Sequence, residues 1–247
     1  MADRRLLVAL AAAAALACTA CASASPAANG DSIVALGDSV PYGTNCHCTP
    51  YPELTAKPLQ ATAANDAVPG YRTTNVRRQI LSDTAVVDRL RGADVVEIEV
   101  GANDVAYSSQ CGTSVGCYTP RLPAMERNLA AIVRRVRRLT NGHKRVIVLL
   151  DYWSVWLGGK YATEKGQAYV NAASELTARV DAAIKTVAAD SGSAYVDLRA
   201  AFKGPTYLYD ETHYLSSDGD HPNAAGHEQI AKATVTVVES QLKPKSG

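Results

Sequence analysis

The feature that most constrains the fold is an alternation of short apolar runs with longer segments of helical spacing. Five runs have the length of buried strands, and they cover residues 33–36, 62–68, 94–100, 145–150 and 194–198. Helical spacing predicts helices over 51–59, 76–90, 121–139, 164–190 and 224–241, the second interrupted near Ser82 and Asp83. Strands that alternate with helices predict a parallel sheet with helices on both faces, joined by right-handed crossovers.

The first 30 residues form a separate segment with the pattern of an export signal. Two arginines precede an unbroken apolar run over 6–17, which is shorter than the roughly 20 residues that span a bilayer. Two processing routes stay open. Cleavage after the small residues 22–24 would release a soluble protein, whereas a lipid on Cys18 or Cys21 would tether the protein to a membrane.

We expect the remaining residues, 31–247, to form one domain. Hydrophobic residues make up 47% of the sequence, which is enough for a sizeable core, and the formal net charge is only +1. The sequence also lacks a basic stripe with interleaved aromatic residues, so it argues against nucleic-acid binding. The expected form is an exported or envelope-attached monomer.

Export makes the four cysteines of this domain candidates for disulfide bonds. Cys111 and Cys117 bracket a short loop with two glycines, which predicts a local bridge. Cys46 and Cys48 remain, and a bridge across one residue is feasible but strained. With His47 between them they also suggest a metal site, which we reject because no second ligand cluster has zinc-site spacing.

A candidate nucleophile follows the first predicted strand. Gly37 ends the strand and permits a tight turn, and Ser39 then lies at the strand's carboxyl end. Open α/β sheets bind their ligands at that edge. Gly-Asp-Ser triplets are more often turns or helix N-caps than catalytic sites, so the role of Ser39 depends on residues further along the chain.

Other chemically capable residues are predicted at the same edge. Gly70 follows the second strand, Asn103 follows the third, and Asp218 and His221 precede the last helix. Their types suit acyl transfer: His221 would take the proton of Ser39, and Asp218 would fix the tautomer of the imidazole. The backbone N–H groups of Ser39 and Gly70 and the side-chain amide of Asn103 would form an oxyanion hole.

At these residues the chain resembles the SGNH hydrolase superfamily, the GDSL-type esterases and lipases, and in particular its secreted actinobacterial members. The matching blocks occur in the family's order: Gly37-Asp38-Ser39, Asn65 to Pro69-Gly70 with Thr73-Thr74, Gly101-Ala102-Asn103-Asp104, and Asp218 to Asn223 with Gly226-His227. The resemblance implies a flavodoxin-like three-layer α/β/α sandwich with a five-stranded parallel sheet, catalysis by Ser39, His221 and Asp218, and no metal or other cofactor.

The chain departs from the family pattern in two places. Val40 stands where many members have leucine, which puts nothing catalytic in doubt. The actinobacterial members usually carry a cysteine near the glycine block, and this chain has none there, so the pairing of Cys46 and Cys48 stays open. The pair Cys111 and Cys117 lies where those enzymes have a local bridge.

The sequence therefore predicts an exported serine hydrolase that cleaves small-molecule, lipid or carbohydrate esters through an acyl-enzyme. A carbohydrate O-deacetylase or an acyltransferase with the same triad stays open, as does a non-catalytic exported binding protein. We interpret Tyr152, Trp153 and Trp156 as a wall of the substrate pocket. We assign no catalytic role to the remaining histidines or to Asp104. His47, His143 and His213 are expected to be solvated loop residues. His227 is expected to be packed or solvated, and Asp104 to be a hydrogen-bond scaffold.

Overall fold

The computed structural model describes residues 31–140 and 146–243. At its centre lies a wholly parallel sheet of five strands in the order β2-β1-β3-β4-β5. The strands are β1 (Ser32–Gly37), β2 (Thr62–Asn65), β3 (Val95–Glu99), β4 (Val146–Leu150) and β5 (Ala194–Val196). Helices cover both faces of the sheet, which confirms the expected three-layer sandwich.

The helices of the described chain divide between the two faces. Their bounds are α1 (Ser39–Tyr42), α2 (Tyr51–Ala56), α3 (Thr73–Ser82), α4 (Thr84–Gly92), α5 (Val115–Tyr118), α6 (Leu122–Leu139), α7 (Gly159–Thr163), α8 (Gln167–Ser191), α9 (Leu198–Lys203) and α10 (Ala224–Leu242). Helices α2, α9 and α10 form one layer, and α3, α4, α6 and α8 form the other.

The two central strands, β1 and β3, determine where a site can form. All five residues of β3 and those from Ile33 to Gly37 in β1 are buried, as parallel strands covered on both faces require. Their register pairs Ile33 with Val95 and Gly37 with Glu99, so the two strands end at the same level. The strand order changes direction between them, and sheets of this order bind ligands at that switch point.

Helix α6 follows from its apolar spacing. The buried side chains recur every three or four residues: Met125, Leu129, Ile132, Val133 and Val136. Complete burial of such a side chain contributes roughly 1.5–3 kcal/mol relative to exposure. Arg134, Arg137 and Arg138 are exposed on the opposite side of this helix.

Several predicted bounds change because aspartates cap helices. Asp83 accepts hydrogen bonds from the backbone N–H groups of Ala85 and Val86, so the segment 76–90 forms two helices that meet at the expected break. The expected strand 194–198 ends at Val196, because Asp197 caps α9 through the N–H of Ala200. The short helices α1, α5, α7 and α9 were not predicted.

The core also holds two acidic residues that an apolar strand does not predict. Glu97 and Glu99 of β3 are both 0% exposed. Burial raises the pKa of each carboxyl well above its ordinary value, which favours the protonated, neutral form.

The predicted export signal at 1–30 and His143 lie outside the described residues. Among the residues that the structure covers, no helix is both long and apolar enough to cross a membrane.

Candidate active site

Ser39 is the first residue of α1, directly after the turn that ends β1. Gly37 has a φ of +159°, and a Cβ there would overlap the carbonyl oxygen of Glu99 on β3. Only glycine permits this approach of the two strands. Asp38 caps α1 by accepting a hydrogen bond of 3.2 Å from the N–H of Val40. The half-buried Ser39 is thereby held at the edge where β1 and β3 end.

Asp38 is hydrogen-bonded to Tyr152, which lies in the loop after β4. The hydroxyl of Tyr152 donates a hydrogen bond of 2.7 Å to Oδ2 of Asp38, and both side chains are 1% exposed. Burial raises the pKa of Asp38 to about 7, although the hydrogen bonds from Tyr152 and Val40 act in the opposite direction. A buried, titratable pair therefore supports the turn that carries Ser39.

Asn103 lies in a 3₁₀ turn, Ala102–Val105, immediately after β3. Its side-chain Nδ2 donates a hydrogen bond of 3.0 Å to the carbonyl oxygen of Tyr71, which leaves the second N–H of the amide for another acceptor. Asp104 accepts hydrogen bonds from the backbone N–H and the hydroxyl of Thr73, at 2.9 and 2.7 Å, so it acts as the expected scaffold. These hydrogen bonds connect the loop after β3 with the turn before α3 and with the first residue of that helix.

Gly70 occupies the turn before α3 and is not among the residues that line the cavity beside Ser39. Its φ of +77° is in the left-handed region, and a Cβ there would meet nothing within 4 Å. The glycine is thus required by its backbone conformation rather than by crowding.

His221 and Asp218 form a hydrogen-bonded pair on the loop before α10. Nδ1 of His221 lies 2.7 Å from Oδ2 of Asp218, and Oδ1 accepts the backbone N–H groups of Asp220 and His221, each at 3.0 Å. The amide of Asn45 also donates to Oδ2. Partial burial by itself would raise the pKa of Asp218, but these hydrogen bonds together lower it to about 2. The carboxylate is therefore ionised over the whole neutral range.

A cavity of about 560 Å³ brings these elements together, a size common for small-molecule sites. Ser39, Asn103 and His221 line it, with walls formed by Ala102, Ala106, Tyr107, Thr113, Val155, Trp156, Leu157, Lys165, Tyr169 and Asp220. Among the described residues no hydrogen bond joins the Ser39 hydroxyl to His221. Nucleophile–base hydrogen bonds are often long before substrate binds.

The aromatic wall differs in part from the expectation. Trp156 lines the cavity, contacts Tyr107 edge-on at 5.2 Å between centroids, and donates its Nε1–H to the carbonyl of Val105. Tyr152 and Trp153 do not line it, so their assignment to the wall was wrong. The Tyr152 hydroxyl is hydrogen-bonded to Asp38. The Trp153 ring stacks on Phe202 inside the core, with 4.3 Å between the ring centroids.

The remaining histidines take structural positions. His47 and His213 are exposed, as expected, and His213 contacts the ring of Tyr214 at 3.8 Å. His227 is 0% exposed, and its Nδ1 accepts the backbone N–H of Tyr51 at 3.2 Å. Burial lowers the pKa of His227 to about 4, so this ring stays neutral.

Two disulfide bonds occur among the described residues, Cys111–Cys117 and Cys46–Cys48. Ligand atoms of Cys46, Cys48 and His227 lie within 4.8 Å of one another, a group that could hold a metal ion. The spacing of the sequence could not reveal it, since His227 comes from a distant helix. In the bonded state, however, the two sulfurs offer no thiolate to a metal.

Two contacts of the site escaped the sequence analysis, those of Asn45 with Asp218 and of Tyr152 with Asp38. Each joins residues more than a hundred positions apart, at 173 and 114 residues. No local pattern signals such a pair.

Comparison with known proteins places the chain in a family. Residues 28–229 match the GDSL-like lipase/acylhydrolase family. A search of curated proteins gave no match.

Solved structures share the fold. An extracellular lipase from Streptomyces rimosus is similar with a TM-score of 0.67 and 21% identity, over 86% of this chain and 100% of that one. Phospholipase A1 from Streptomyces albidoflavus NA297 gives a TM-score of 0.64 at 21% identity, over 86% and 99%. An acetylxylan esterase from Geobacillus stearothermophilus gives 0.60 at 19% identity, over 85% and 94%. The family match, which spans most of the chain, and the shared fold lead to one conclusion: the protein belongs to the GDSL-like lipase/acylhydrolase family and is a carboxylic ester hydrolase.

Proposed function

We propose that the protein is an exported serine esterase in which Ser39 is the nucleophile, His221 the base and Asp218 the residue that orients His221. The observation that carries the proposal is the hydrogen-bonded pair of His221 and Asp218, whose imidazole lines the same cavity as Ser39 and Asn103. Because Nδ1 faces the carboxylate, Nε2 of His221 is left to exchange a proton with the serine.

The reaction runs in two halves. The Ser39 oxygen attacks the ester carbonyl as Nε2 of His221 takes its proton, and the imidazolium then gives that proton to the departing alcohol. A covalent acyl-serine remains. Water then attacks the acyl-serine, His221 accepts its proton and returns a proton to Ser39, and a carboxylic acid leaves.

The negative charge on the carbonyl oxygen needs donors that are already in position. We assign this role to the N–H groups of Ser39 and Gly70 and to the amide of Asn103. Among the hydrogen bonds of the described residues, neither of those two backbone N–H groups has a protein acceptor, and the Asn103 amide has one N–H left. Pre-positioned donors of this kind are worth several kcal/mol in the transition state.

Asp218 supports the base electrostatically. A carboxyl with a pKa of about 2 is ionised at every pH at which the enzyme would work, so it stabilises the imidazolium that forms during each proton transfer. Any loss of activity at mildly acid pH should therefore not come from protonation of Asp218.

We also propose export through the segment 1–30, with either release or a lipid tether as the final state. The extracellular lipase among the structural neighbours and the charged, apolar and small-residue regions of that segment support this. Residues 1–30 lie outside the described structure, so N-terminal sequencing and mass analysis of protein from the medium and from membranes are the direct test. A mature chain that still begins at Met1 would contradict export.

The decisive test of the catalytic proposal compares wild type with Ser39→Ala. The variant should lose nearly all hydrolysis of aryl esters while keeping its thermal midpoint, because the hydroxyl is not part of the core. A fluorophosphonate probe should label the wild type at Ser39 and leave the variant unlabelled. Substantial turnover by Ser39→Ala would refute the assignment, and a folded wild type that takes no label would favour a non-catalytic binding protein.

The substrate class needs a separate measurement. Purified protein should be assayed on short- and long-chain aryl esters, and also on phospholipids and acetylated xylo-oligosaccharides, because the structural neighbours include a phospholipase and an acetyl-xylooligosaccharide esterase. Products formed with an added alcohol or sugar in place of water would identify an acyltransferase.

A further inference from the structure

We propose that Asn45 is a positioning residue for the His221–Asp218 pair, and that the loop closed by Cys46 and Cys48 holds it in place. The proposal rests on the proposed function, because it assigns a task to the partner of Asp218. It follows from three independent features of the loop between α1 and α2: a side-chain contact, a backbone contact and a strained backbone.

The side-chain contact completes the surroundings of the carboxylate. Of the hydrogen bonds that described residues make to Asp218, three come from its own loop, and that of Asn45 comes from the other side of the site. Asn45 donates to Oδ2, the same oxygen that faces Nδ1 of His221. Without the amide, the carboxylate keeps only the three bonds from its own loop, so its orientation and that of the imidazole are less restrained.

The backbone contact ties the two loops together a second time. The hydroxyl of Ser216 lies 3.2 Å from the carbonyl oxygen of Asn45 and 3.1 Å from that of Pro222, and it shares its one proton between them. Ser216 lies two residues before Asp218, so side chain and backbone of Asn45 hold the same short segment. The loop between α1 and α2 therefore restrains the loop that carries His221.

The backbone of the Asn45 loop is strained. Asn45 and His47 have φ values of +58° and +50°, in the left-handed region that side chains other than glycine rarely occupy. Such residues cost free energy and persist only where the surrounding structure enforces them. The Cys46–Cys48 bond encloses His47 and begins at the residue after Asn45, so we assign that restraint to it.

The charge environment agrees with a positioning role. Burial is the largest influence on the pKa of Asp218 and raises it, and the bond from Asn45 is the largest of those that lower it. Other titratable groups nearby are Asp220 on the same loop, Asp38 before α1 and His227 on α10. A neutral replacement of Asn45 adds or removes no charge among them, so the ratio of variant to wild-type rates compares proteins with the same set of titratable groups.

The test uses two replacements that keep the left-handed backbone. Asn45→Gly removes the amide without adding backbone strain, since glycine tolerates φ near +58°. It should lower kcat about 10-fold and change KM less than about twofold, because misplacing a catalytic group lowers the rate and not the binding. Gln60→Gly is the matched control: it places glycine at another exposed left-handed residue, with φ of +52° but outside this loop, and should keep wild-type kcat.

Asn45→Asp supplies a readout that a purely structural role would not move. When protonated, the introduced carboxyl can donate to Asp218 as the amide does, whereas when ionised it places a like charge beside Asp218. The ratio of variant to wild-type kcat should therefore approach 1 near pH 5 and fall by about 100-fold toward pH 8. A ratio that does not change with pH would overturn the positioning role.

The bridge is tested with the double variant Cys46→Ser/Cys48→Ser, in which Cys111–Cys117 remains. Its kcat should fall in the same direction as that of Asn45→Gly, and adding Asn45→Gly to it should cost little more. Wild-type kcat in Asn45→Gly, or fully additive losses in the triple variant, would refute the proposal. Asp218→Asn separates the two hypotheses: if it keeps full activity, the proposed function of Asp218 fails, and if it is inactive while Asn45→Gly is unaffected, only the role of Asn45 fails.

Discussion

Replacing Tyr152 with phenylalanine should destabilise the protein more at alkaline than at acid pH. The reason lies in its buried partner, since the Tyr152 hydroxyl donates a hydrogen bond of 2.7 Å to Asp38. Burial raises the pKa of Asp38 from 3.8 to about 7 in the folded protein. The residue thus changes from neutral to ionised within an accessible pH range, and its bond with Tyr152 changes from a neutral to a charged one.

The sign of the effect follows from proton binding. Between about pH 4 and 7 the folded state binds the Asp38 proton and the unfolded state does not, so wild-type stability falls as pH rises. A shift of about 3 units corresponds to roughly 4 kcal/mol over that range. The bond from Tyr152 reduces this loss, because it stabilises the ionised carboxyl.

The decrease in the free energy of unfolding caused by Tyr152→Phe differs between pH 5 and pH 9. Near pH 5 the variant loses a hydrogen bond between neutral groups, about 1 kcal/mol, and near pH 9 it loses one to a carboxylate, about 2.5 kcal/mol. The difference of about 1.5 kcal/mol is the measured quantity. Burial raises the pKa of Tyr152 well above 10, so this hydroxyl remains protonated at pH 9.

The assay is urea unfolding followed by tryptophan fluorescence at pH 5 and pH 9. Four proteins form the cycle: wild type, Tyr152→Phe, Asp38→Asn and the double variant. Asparagine caps helices as well as aspartate does, so Asp38→Asn keeps the start of α1 while removing the charge. In the Asp38→Asn protein, Tyr152→Phe should lower the free energy of unfolding by the same amount at pH 5 and pH 9. An equal loss at both pH values in the wild-type background would refute the argument that Asp38 ionises against Tyr152.

Three further expectations concern the oxyanion donor, the local bridge and the buried acids. Asn103→Ala should lower kcat about 100-fold with little change in KM, and an unchanged kcat measured under saturating substrate would remove the amide from the oxyanion hole. Peptide mapping without reduction should recover Cys111 linked to Cys117, and either residue found free or linked elsewhere would contradict the pairing. Glu99→Gln should be more stable than wild type at pH 8 and nearly as stable as wild type at pH 5. The reason is that the raised pKa of Glu99 makes wild-type stability fall as pH rises. Equal unfolding midpoints at pH 8 would show that Glu99 does not destabilise the wild type at that pH.

Local patterns were sufficient for the layers of the fold and for the edge that carries the candidate site. Apolar runs ended by glycine predicted β1 and β3, and the parallel arrangement then placed Ser39 and Asn103 on neighbouring loops. The break between α3 and α4 was also predictable, since an aspartate at that position is a common helix cap.

Contacts between distant segments could not be predicted in this way. Tyr152 was interpreted as part of the cavity wall because it follows a strand at the correct edge, but its hydroxyl is used by Asp38, 114 residues earlier. The buried state of Glu97 was equally hidden, because a strand's sequence does not show how completely helices cover it. Partner identity depends on tertiary packing, whereas periodicity reports only the local element.

The pairing of β1 with β3 has a consequence for redesign of the enzyme. Ser39 lies two residues after the end of β1 and Asn103 four residues after the end of β3, and these strands are hydrogen-bonded in register, so their ladder, with a spacing of about 4.8 Å, sets where the two loops begin. The cavity wall, by contrast, comes from longer loops around Tyr107 and Trp156. Mutant libraries confined to those loops can therefore alter the choice of ester while the paired strands keep the starts of the Ser39 and Asn103 loops side by side.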